Sequence, residues 1–168
     1  MKVHVIGIAG SGKTTLAAWI SERFGVAAHD LDWVVYDEAG ERPELEIVAR
    51  IDEILCEPGW VTEGAYQQPW LQPLLAAADR IVWLDASLPV CIFRMLKRHA
   101  VAELRRDNAH PGWLRLVRFL RYTARTASQQ RADTRALLAP HIARVTRCMS
   151  SSDVRQLQRC LAERRAPA

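Results

Sequence analysis

The feature that most constrains how this chain can fold is the sequence GIAGSGKT at residues 7–14, which separates two segments of different periodicity. The segment before it, KVHVIGI, is a short β-branched run typical of a buried parallel strand. The segment after it, KTTLAAWISERF, has a helical pattern that ends at Gly25, a frequent helix stop. Glycines let the loop curl so that its N–H groups point inward at the positive end of the helix. The pattern therefore predicts an anion-binding loop at a strand-to-helix junction.

The loop matches the pattern G-x-x-x-x-G-K-[ST] at every position and lies in the structural context that this motif requires. A triphosphate fits such a loop, so we predict that Lys13 reaches the β- and γ-phosphates and that Thr14 ligates Mg²⁺. The alternative is a glycine-rich turn with an exposed lysine. We predict ATP and Mg²⁺ as cofactors, with nucleotide contacts from Gly7, Ile8, Ala9, Gly10, Ser11, Gly12, Lys13, Thr14 and Thr15.

The rest of the chain alternates short apolar runs with longer helical patterns. Further strands are predicted at residues 26–30, 59–64, 80–85 and 141–148. Further helices are predicted at residues 43–57, 70–78, 89–106, 113–130 and 152–163. The buried face of the helix at 43–57 is predicted to carry Leu45, Val48, Ile51, Ile54 and Leu55. We therefore expect a three-layer α/β P-loop NTPase fold, with a five-stranded parallel sheet covered by helices on both faces, in one domain spanning residues 1–168.

Composition argues against several other classes of protein. No run approaches the roughly 20 apolar residues of a membrane span, and the N-terminus lacks a signal-peptide pattern, so we expect a cytoplasmic protein without a membrane partner. The four cysteines are widely spaced, which predicts buried thiols rather than a zinc site or a disulfide framework.

Charge is distributed unevenly along the chain. Residues 1–93 carry 6 Lys and Arg against 14 Asp and Glu, whereas residues 94–168 carry 17 against 5. Such asymmetry is typical of a nucleic-acid surface, or of two halves that face each other across a polyphosphate ligand.

Carboxylates follow two of the predicted strands. Asp30 and Asp32 lie at the end of the strand at 26–30, and Glu63 at the end of the strand at 59–64. Because the carboxyl ends of parallel strands meet at one edge of a sheet, we expect all three near Mg²⁺, Lys13 and the phosphate acceptor. Glu63 or Asp30 is predicted to hold metal-bound waters and Asp32 to orient the acceptor. The alternative for either aspartate is that it caps the next turn.

Several neighbouring residues are candidates for contact with the acceptor. Gly64 directly follows Glu63, and the aromatic residues Trp33, Tyr36, Tyr66 and Trp70 are predicted to lie in loops where they could stack on a ring. The segment CMSSSD, at the end of the strand at 141–148, could form the wall beside the nucleotide base. RIVWLD ends in Asp85 like a metal-binding strand, although Ser87 and Pro89 also suggest that Asp85 begins a helix.

Arginines dominate the segment from about residue 89 to 130, which we interpret as a helical lid. Arg94 and Arg98 lie one turn apart, with Arg105 about two turns further on, as expected of side chains that bind a transferring phosphate. A second stripe is predicted opposite an apolar face formed by Trp113, Val117, Leu120 and Ala124; it consists of Arg115, Arg118, Arg121 and Arg125. That stripe could bind a ligand or form a solvated surface. The HPGW turn at 110–113 suggests that the lid moves.

Taken together, the phosphate loop, HDLDW, GWVTEGAY, RIVWLD and the stretch from Arg94 resemble the small adenylate-kinase-like P-loop proteins known as topology modulation proteins. The resemblance covers nearly the whole chain. It implies the fold of nucleoside and small-molecule kinases, with Glu63-Gly64 where adenylate kinases carry an Asp-Gly pair. The chain lacks the adenylate kinase pattern around the monophosphate acceptor and the glycine signature of shikimate kinases, whose paired aspartates Asp30 and Asp32 resemble. Arg42 and Arg50 are candidate ligands for an acceptor phosphate.

The leading functional hypothesis is a kinase that transfers the γ-phosphate of Mg-ATP to a small molecule, a nucleoside monophosphate or a metabolite. Lys13, Asp32, Arg94 and Arg98 are its predicted catalytic residues. The alternatives are an ATPase without an acceptor, or a nucleotide-dependent regulatory module whose basic half binds nucleic acid, which we favour less. The sequence predicts neither the acceptor, nor the base, nor the oligomeric state.

Overall fold

A computed structural model describes residues 1–104 and 113–163 of the chain. Its main sheet has five parallel strands in the spatial order β2-β5-β1-β6-β7. These strands are β1 (Lys2–Gly7), β2 (Ala27–Asp30), β5 (Trp60–Gly64), β6 (Arg80–Leu84) and β7 (Val145–Cys148). A separate antiparallel hairpin consists of β3 (Tyr36–Asp37) and β4 (Gly40–Glu41). The prediction of a five-stranded parallel sheet is confirmed.

Seven α-helices lie among the described residues. They are α1 (Lys13–Phe24), α2 (Leu31–Val35), α3 (Glu44–Cys56), α4 (Gln72–Ala77), α5 (Leu88–Leu104), α6 (Trp113–Leu138) and α7 (Ser151–Glu163). Short 3-10 turns precede α4 at Pro69–Leu71 and β7 at Ala139–Arg144. None of the helices in the described part of the chain is long and apolar enough to cross a membrane.

Helices cover both faces of the sheet because its strands alternate two sets of apolar side chains. One set, which includes Val5, Val61 and Val82, packs with residues of α1 and α7. The other set, which includes Ile6 and Ile81, packs with α2, α3, α4 and the end of α6. Two buried faces explain why these strands are nearly continuous apolar runs.

Two helices bury faces that differ from the predicted ones. In α3 the buried residues are Ile47, Ile51 and Ile54, whereas Leu45 is 82% exposed. In α6 the buried residues include Leu116, Thr123 and Ala127, so the predicted apolar face with Trp113 and Val117 is exposed instead. Helix α6 also continues beyond the predicted end at residue 130 to Leu138, just before Pro140. The HPGW turn and Arg105 lie largely or wholly outside the described residues.

The sequence analysis missed the small subdomain between β2 and α3. Asp30 begins α2 by accepting a hydrogen bond from the backbone N–H of Asp32 at 2.9 Å. After α2 the hairpin of β3 and β4 turns at Gly40, whose φ of 124° favours glycine. Arg42 then donates hydrogen bonds through Nη1 to the carbonyl oxygens of Trp33, Val34 and Tyr36. This guanidinium therefore fixes the end of α2 against the hairpin.

Asp85 pairs with two arginines that the sequence did not indicate as its partners. It accepts hydrogen bonds from Nε of Arg131 at 2.8 Å and from Nε of Arg147 at 2.9 Å, and it is buried. Asp85 therefore joins α6 to β7 at the end of β6. The prediction that Asp85 begins a helix is wrong, because α5 begins at Leu88. Its contact with a metal stays a prediction, and its carboxylate is paired with two arginines.

Replacing Asp85 with alanine should lower the free energy of unfolding by about 1–3 kcal/mol, because two half-buried arginines lose their shared acceptor. Urea unfolding measures this change. Asp52→Ala is the matched control, since Asp52 is exposed on α3. Equal stability of the two variants would contradict a structural role for the Asp85 pairs.

Candidate active site

The phosphate-binding loop has the conformation that its glycines allow. Gly10 and Gly12 have φ values of 77° and 102°, in the left-handed region that favours glycine, and Gly12 is the N-cap of α1. A side chain at Gly10 would also approach the carbonyl oxygen of Cys91 to 2.6 Å. At Gly7 it would approach the carbonyl oxygen of Leu84 to 2.5 Å. The loop is thus held close to β6 and α5.

A cavity of about 580 Å³ opens over this loop. The ends of β2 and β5 form one side and helices α5 and α6 another. Its lining consists of Ala9, Gly10, Gly12, Lys13, Thr14, Thr15, Asp30, Asp32, Glu63, Gly64, Ala65, Arg94, Met95, Arg98, Phe119, Tyr122, Thr123 and Gln130. The structure therefore places the loop, the three carboxylates and two arginines of α5 around one space.

Glu63 and Thr14 are in direct contact. The Thr14 hydroxyl donates a hydrogen bond of 2.5 Å to Oε1 of Glu63. Burial raises the pKa of Glu63, although the Thr14 hydrogen bond and the nearby Lys13 partly offset that rise. Burial lowers the pKa of Lys13, and the carboxylates of Glu63, Asp32 and Asp30 act in the opposite direction. Lys13 and the carboxylates therefore stabilise each other's charges in a desolvated setting.

The residues present fit a magnesium ion bound together with a triphosphate. Hydroxyl and carboxylate oxygens are ligands that Mg²⁺ prefers, and it is commonly held by few protein groups plus substrate phosphates. Within residues 1–104 and 113–163, no group of three or more His, Cys, Asp and Glu could hold a metal ion. Thr14 would thus ligate the ion, and Glu63 or Asp30 would hold its waters.

Removing the negative charge of Glu63 should stabilise the free protein at neutral pH. Because the folded-state pKa of Glu63 is raised, ionisation opposes folding, and stability is lost as the pH rises through that pKa. Glu63→Gln keeps an oxygen that can accept the Thr14 hydrogen bond. Its free energy of unfolding should exceed that of the parent at about pH 8, and the two should converge near pH 4. Chemical unfolding across this range is the test, and a variant less stable than the parent at pH 8 would contradict it.

The two aspartates at the end of β2 differ in their surroundings. Asp30 caps α2, as the alternative interpretation held, and it also lines the cavity. Its pKa is raised, chiefly by burial. Asp32 accepts a hydrogen bond from the Tyr66 hydroxyl at 2.7 Å, and burial and this bond both raise the pKa of Tyr66. Tyr66 therefore stays a proton donor that fixes one oxygen of Asp32.

Arg94 connects α5 to the glycine-rich loop. Its Nη1 donates a hydrogen bond of 2.8 Å to the carbonyl oxygen of Ser11, and its Nη2 lies 3.2 Å from the Ser151 hydroxyl. Arg98, one turn further along α5, lines the same cavity and is exposed. Both arginines are therefore positioned at the space where the loop would bind phosphates.

The predicted aromatic residues do not gather around the cavity. Trp33 is 78% exposed and Tyr36 is exposed on the hairpin, and neither lines the cavity. Trp70 is only 9% exposed and packs in the core beside Tyr66, so the interpretation of Trp70 as a loop residue is wrong. Tyr66 reaches the site through Asp32.

Helix α6 supplies a wall of the cavity that the sequence analysis missed. This wall consists of Phe119, Tyr122, Thr123 and Gln130. Tyr122 and Thr123 follow Phe119 by three and four residues, and Gln130 follows Thr123 by seven, so all four lie on one side of the helix. This spacing was overlooked because the exposed arginines dominate the pattern of the same helix. Of that stripe, Arg115, Arg118, Arg121 and Arg125 are all exposed, and none lines the cavity.

Two smaller cavities, of about 190 and 370 Å³, share Arg94 with the main one. Both are also lined by Ser11, Ser151 and Val154. The smaller cavity contacts Cys148, Met149 and Ser150, so the CMSSSD segment lies beside the phosphate-binding loop. Its role as the wall beside a base stays a prediction.

The fold and the loop define a class of protein: an α/β protein whose helix-flanked parallel sheet is consistent with a P-loop NTPase-like fold. No family model matches the chain. It is similar to a protein of Methanoregula boonei described as a cytidylate kinase, with 29% identity over 112 residues. The match covers 51% of this chain and 62% of that protein, so the chain spans less than two thirds of its relative's length.

Proposed function

We propose that the protein is a kinase that transfers the γ-phosphate of Mg-ATP to a small-molecule acceptor, a nucleoside monophosphate or a metabolite. The observation that carries this proposal is the single cavity lined by Lys13 and Thr14, by three carboxylates, and by Arg94 and Arg98. A protein that only binds a nucleotide through this loop would not need carboxylates on the other side of the cavity. Similarity to a protein described as a cytidylate kinase supports the same type of reaction.

The cationic residues act on the phosphates. Lys13 binds the β- and γ-phosphates, and the Thr14 hydroxyl would ligate a magnesium ion, which would neutralise their charge. Arg94 and Arg98 approach the transferring group from α5, where charge spreads over its equatorial oxygens in the transition state. Guanidinium groups suit this task because they are planar and stay charged.

Asp32 acts on the acceptor. Its carboxylate accepts a hydrogen bond from the acceptor hydroxyl and takes its proton as the oxygen bonds to the γ-phosphorus. The bond between the γ-phosphorus and the oxygen bridging to the β-phosphate breaks, and ADP leaves with that electron pair. The products are the phosphorylated acceptor, ADP and a proton.

The direct test measures ADP release from Mg-ATP with each member of a panel of acceptors, against the rate without acceptor. Mass spectrometry then identifies the phosphorylated product. Acceptor-dependent release that is lost in Lys13→Ala would support the kinase. Release of ADP and phosphate at a rate indifferent to every acceptor would indicate an ATPase instead.

The exposed arginine stripe of α6 favours a second candidate, a nucleic-acid-binding regulatory module. Those four arginines lie away from the cavity and are free to contact a phosphate backbone. Affinity for DNA or RNA that falls steeply with salt and does not respond to ATP would support this candidate. Fluorescence anisotropy with a labelled oligonucleotide, repeated with the stripe replaced by glutamine, would measure it.

Helices α5 and α6 are proposed to act as a lid over the nucleotide. Arg94 already contacts the phosphate-binding loop through Ser11, so a triphosphate there would add charge-assisted contacts from α5. A non-hydrolysable Mg-ATP analogue should therefore slow amide exchange in residues 88–104 and 113–130, as well as in residues 7–15. Exchange mass spectrometry measures this directly. Protection confined to residues 7–15 would contradict the lid.

A further inference from the structure

The acceptor side of the cavity, defined by Asp30, Asp32, Glu63, Gly64 and Ala65, is acidic. Resting on the proposed kinase function, we infer that the acceptor carries no phosphate group. It is a hydroxyl compound that is neutral or bears an amine, and it is not a nucleoside monophosphate. This narrows the acceptor class left open above and differs from the substrate that the name of the cytidylate kinase relative indicates for that protein.

The first observation is where the cations of the cavity lie. Among the described residues, its only Lys or Arg side chains are Lys13, Arg94 and Arg98. Lys13 belongs to the phosphate-binding loop, and Arg94 is bound to the Ser11 carbonyl of that loop. Arg98 follows Arg94 on the same helix. Lys13 and Arg94 therefore lie at the loop, and we assign all three cations to the triphosphate that the proposed function requires.

The second observation is the charge of the segment that forms the acceptor side. Residues 30–41 contain five acidic residues and no Lys or Arg. An acceptor phosphate needs arginine, lysine or a run of free backbone N–H groups. Helix α2 is too short to serve, and the side chain of Asp30 already takes a backbone N–H at its start.

The third observation concerns Arg42 and Arg50, which the sequence suggested as ligands for an acceptor phosphate. Arg42 donates to three backbone carbonyls at the end of α2, and its Nε lies 3.2 Å from Asp37. Arg50 is exposed on α3. Neither lines the cavity. The candidates that the sequence suggested for an acceptor phosphate are therefore placed elsewhere.

The same surroundings suit a hydroxyl or ammonium group. Carboxylates accept hydrogen bonds, and the Tyr66 hydroxyl occupies one oxygen of Asp32 while the other is available to a donor. A phosphate dianion would instead be a fourth negative group beside the three carboxylates that line this side of the cavity. Phe119 and Tyr122 add an apolar wall for a ring.

A binding comparison tests the inference with a pair of compounds that differ by one phosphate. The protein is first saturated with a non-hydrolysable Mg-ATP analogue, so that the nucleotide site is filled. It is then titrated with cytidine and with CMP in a calorimeter. We expect cytidine to bind at least as tightly as CMP. CMP binding at least tenfold tighter than cytidine would overturn the inference.

Two variants test whether the negative charge of the acceptor side determines the ratio of CMP to cytidine affinity. Asp30→Asn removes one negative charge from the acceptor side, and Glu38→Gln removes one from the exposed hairpin turn. We expect Asp30→Asn to shift the ratio of CMP to cytidine affinity toward CMP by about fivefold, or to bring CMP into the measurable range, and Glu38→Gln to change it less than twofold. Tight CMP binding by the parent that Asp30→Asn leaves unchanged would count against the inference.

A transfer assay uses matched pairs of acceptors with and without phosphate, among them nucleosides, hexoses and amino sugars. The inference predicts higher kcat/KM for the member without phosphate in each pair that reacts, and it fails if CMP or another phosphorylated member is preferred. Failure of the proposed function looks different, because no member of any pair, with or without phosphate, would then increase ADP release from Mg-ATP. If no pair reacts, the cytidine and CMP titration decides.

Discussion

Lys13→Ala is expected to weaken binding of Mg-ATP by roughly 10- to 100-fold and to reduce phosphoryl transfer by a further 10²–10³-fold, while the fold stays intact. The ammonium lies in the loop beside Thr14 and faces Glu63, Asp30 and Asp32, so its removal takes away the cation nearest the phosphates. Losing a hydrogen bond to a charged group accounts for the change in affinity. Losing it at the transferring group accounts for the change in rate.

The fold should survive this change because Lys13 is not part of the apolar clusters on either face of the sheet. Burial already lowers its pKa, so the charged ammonium contributes unfavourable desolvation to the folded state. Titration calorimetry with Mg-ATP and far-UV circular dichroism together test the prediction. Lys97→Ala is the control, since Lys97 is an exposed lysine on α5. Unchanged affinity in Lys13→Ala would contradict the nucleotide-binding role of the loop.

The parts of the fold that the sequence predicted well are those set by local signals. Helix α1 has the predicted bounds, from Lys13 at the loop to Phe24 before Gly25, whose left-handed φ of 66° ends the helix. The three central strands, β1, β5 and β6, were found because burial on both faces makes them short apolar runs. The carboxyl ends of the parallel strands bring Asp30, Asp32 and Glu63 to one edge, and this placement was also predicted from the topology.

The parts that the sequence did not predict depend on contacts between distant residues. Asp85 pairs with Arg131, 46 residues away, and with Arg147, 62 residues away, and no local pattern indicates either pair. Trp70 is buried because α3 and the sheet enclose it, although its surroundings in sequence resemble a loop. Helix α6 continued past residue 130 because RADTRALL consists largely of residues that favour helix, and only Pro140 follows as a stop.

Arg42 shows why residue type alone was a poor guide to the acceptor. An arginine near paired aspartates suggests a ligand for a phosphate, but three carbonyl oxygens at the end of α2 need donors. The Arg42 guanidinium supplies these donors, and it does not line the cavity. Because the Arg42 side chain caps the end of α2, its positive charge does not offset the carboxylates of Asp30, Asp32 and Glu63 that line the cavity.

Asp32→Asn should reduce phosphoryl transfer by about 10²–10⁴-fold and leave the affinity for Mg-ATP within about twofold. Asparagine occupies nearly the same volume and can still accept the Tyr66 hydrogen bond, but it cannot take a proton from the acceptor. The loss should therefore appear in kcat. Steady-state kinetics with an acceptor identified by the panel, together with calorimetry for the nucleotide, separate the two quantities.

Two further variants distinguish this role from capping. Tyr66→Phe removes the group that fixes Asp32 but keeps the carboxylate, so we expect a loss of about tenfold in kcat, smaller than that of Asp32→Asn. Asp30→Asn keeps a side-chain oxygen that can cap α2, so it should not lower stability, and its loss of kcat should be small. A comparable, small loss of kcat in Asp32→Asn and Asp30→Asn would contradict the role of Asp32 as base. It would leave both residues as parts of the turn that begins α2, and the proton acceptor would have to be sought at Glu63, the remaining carboxylate of the cavity.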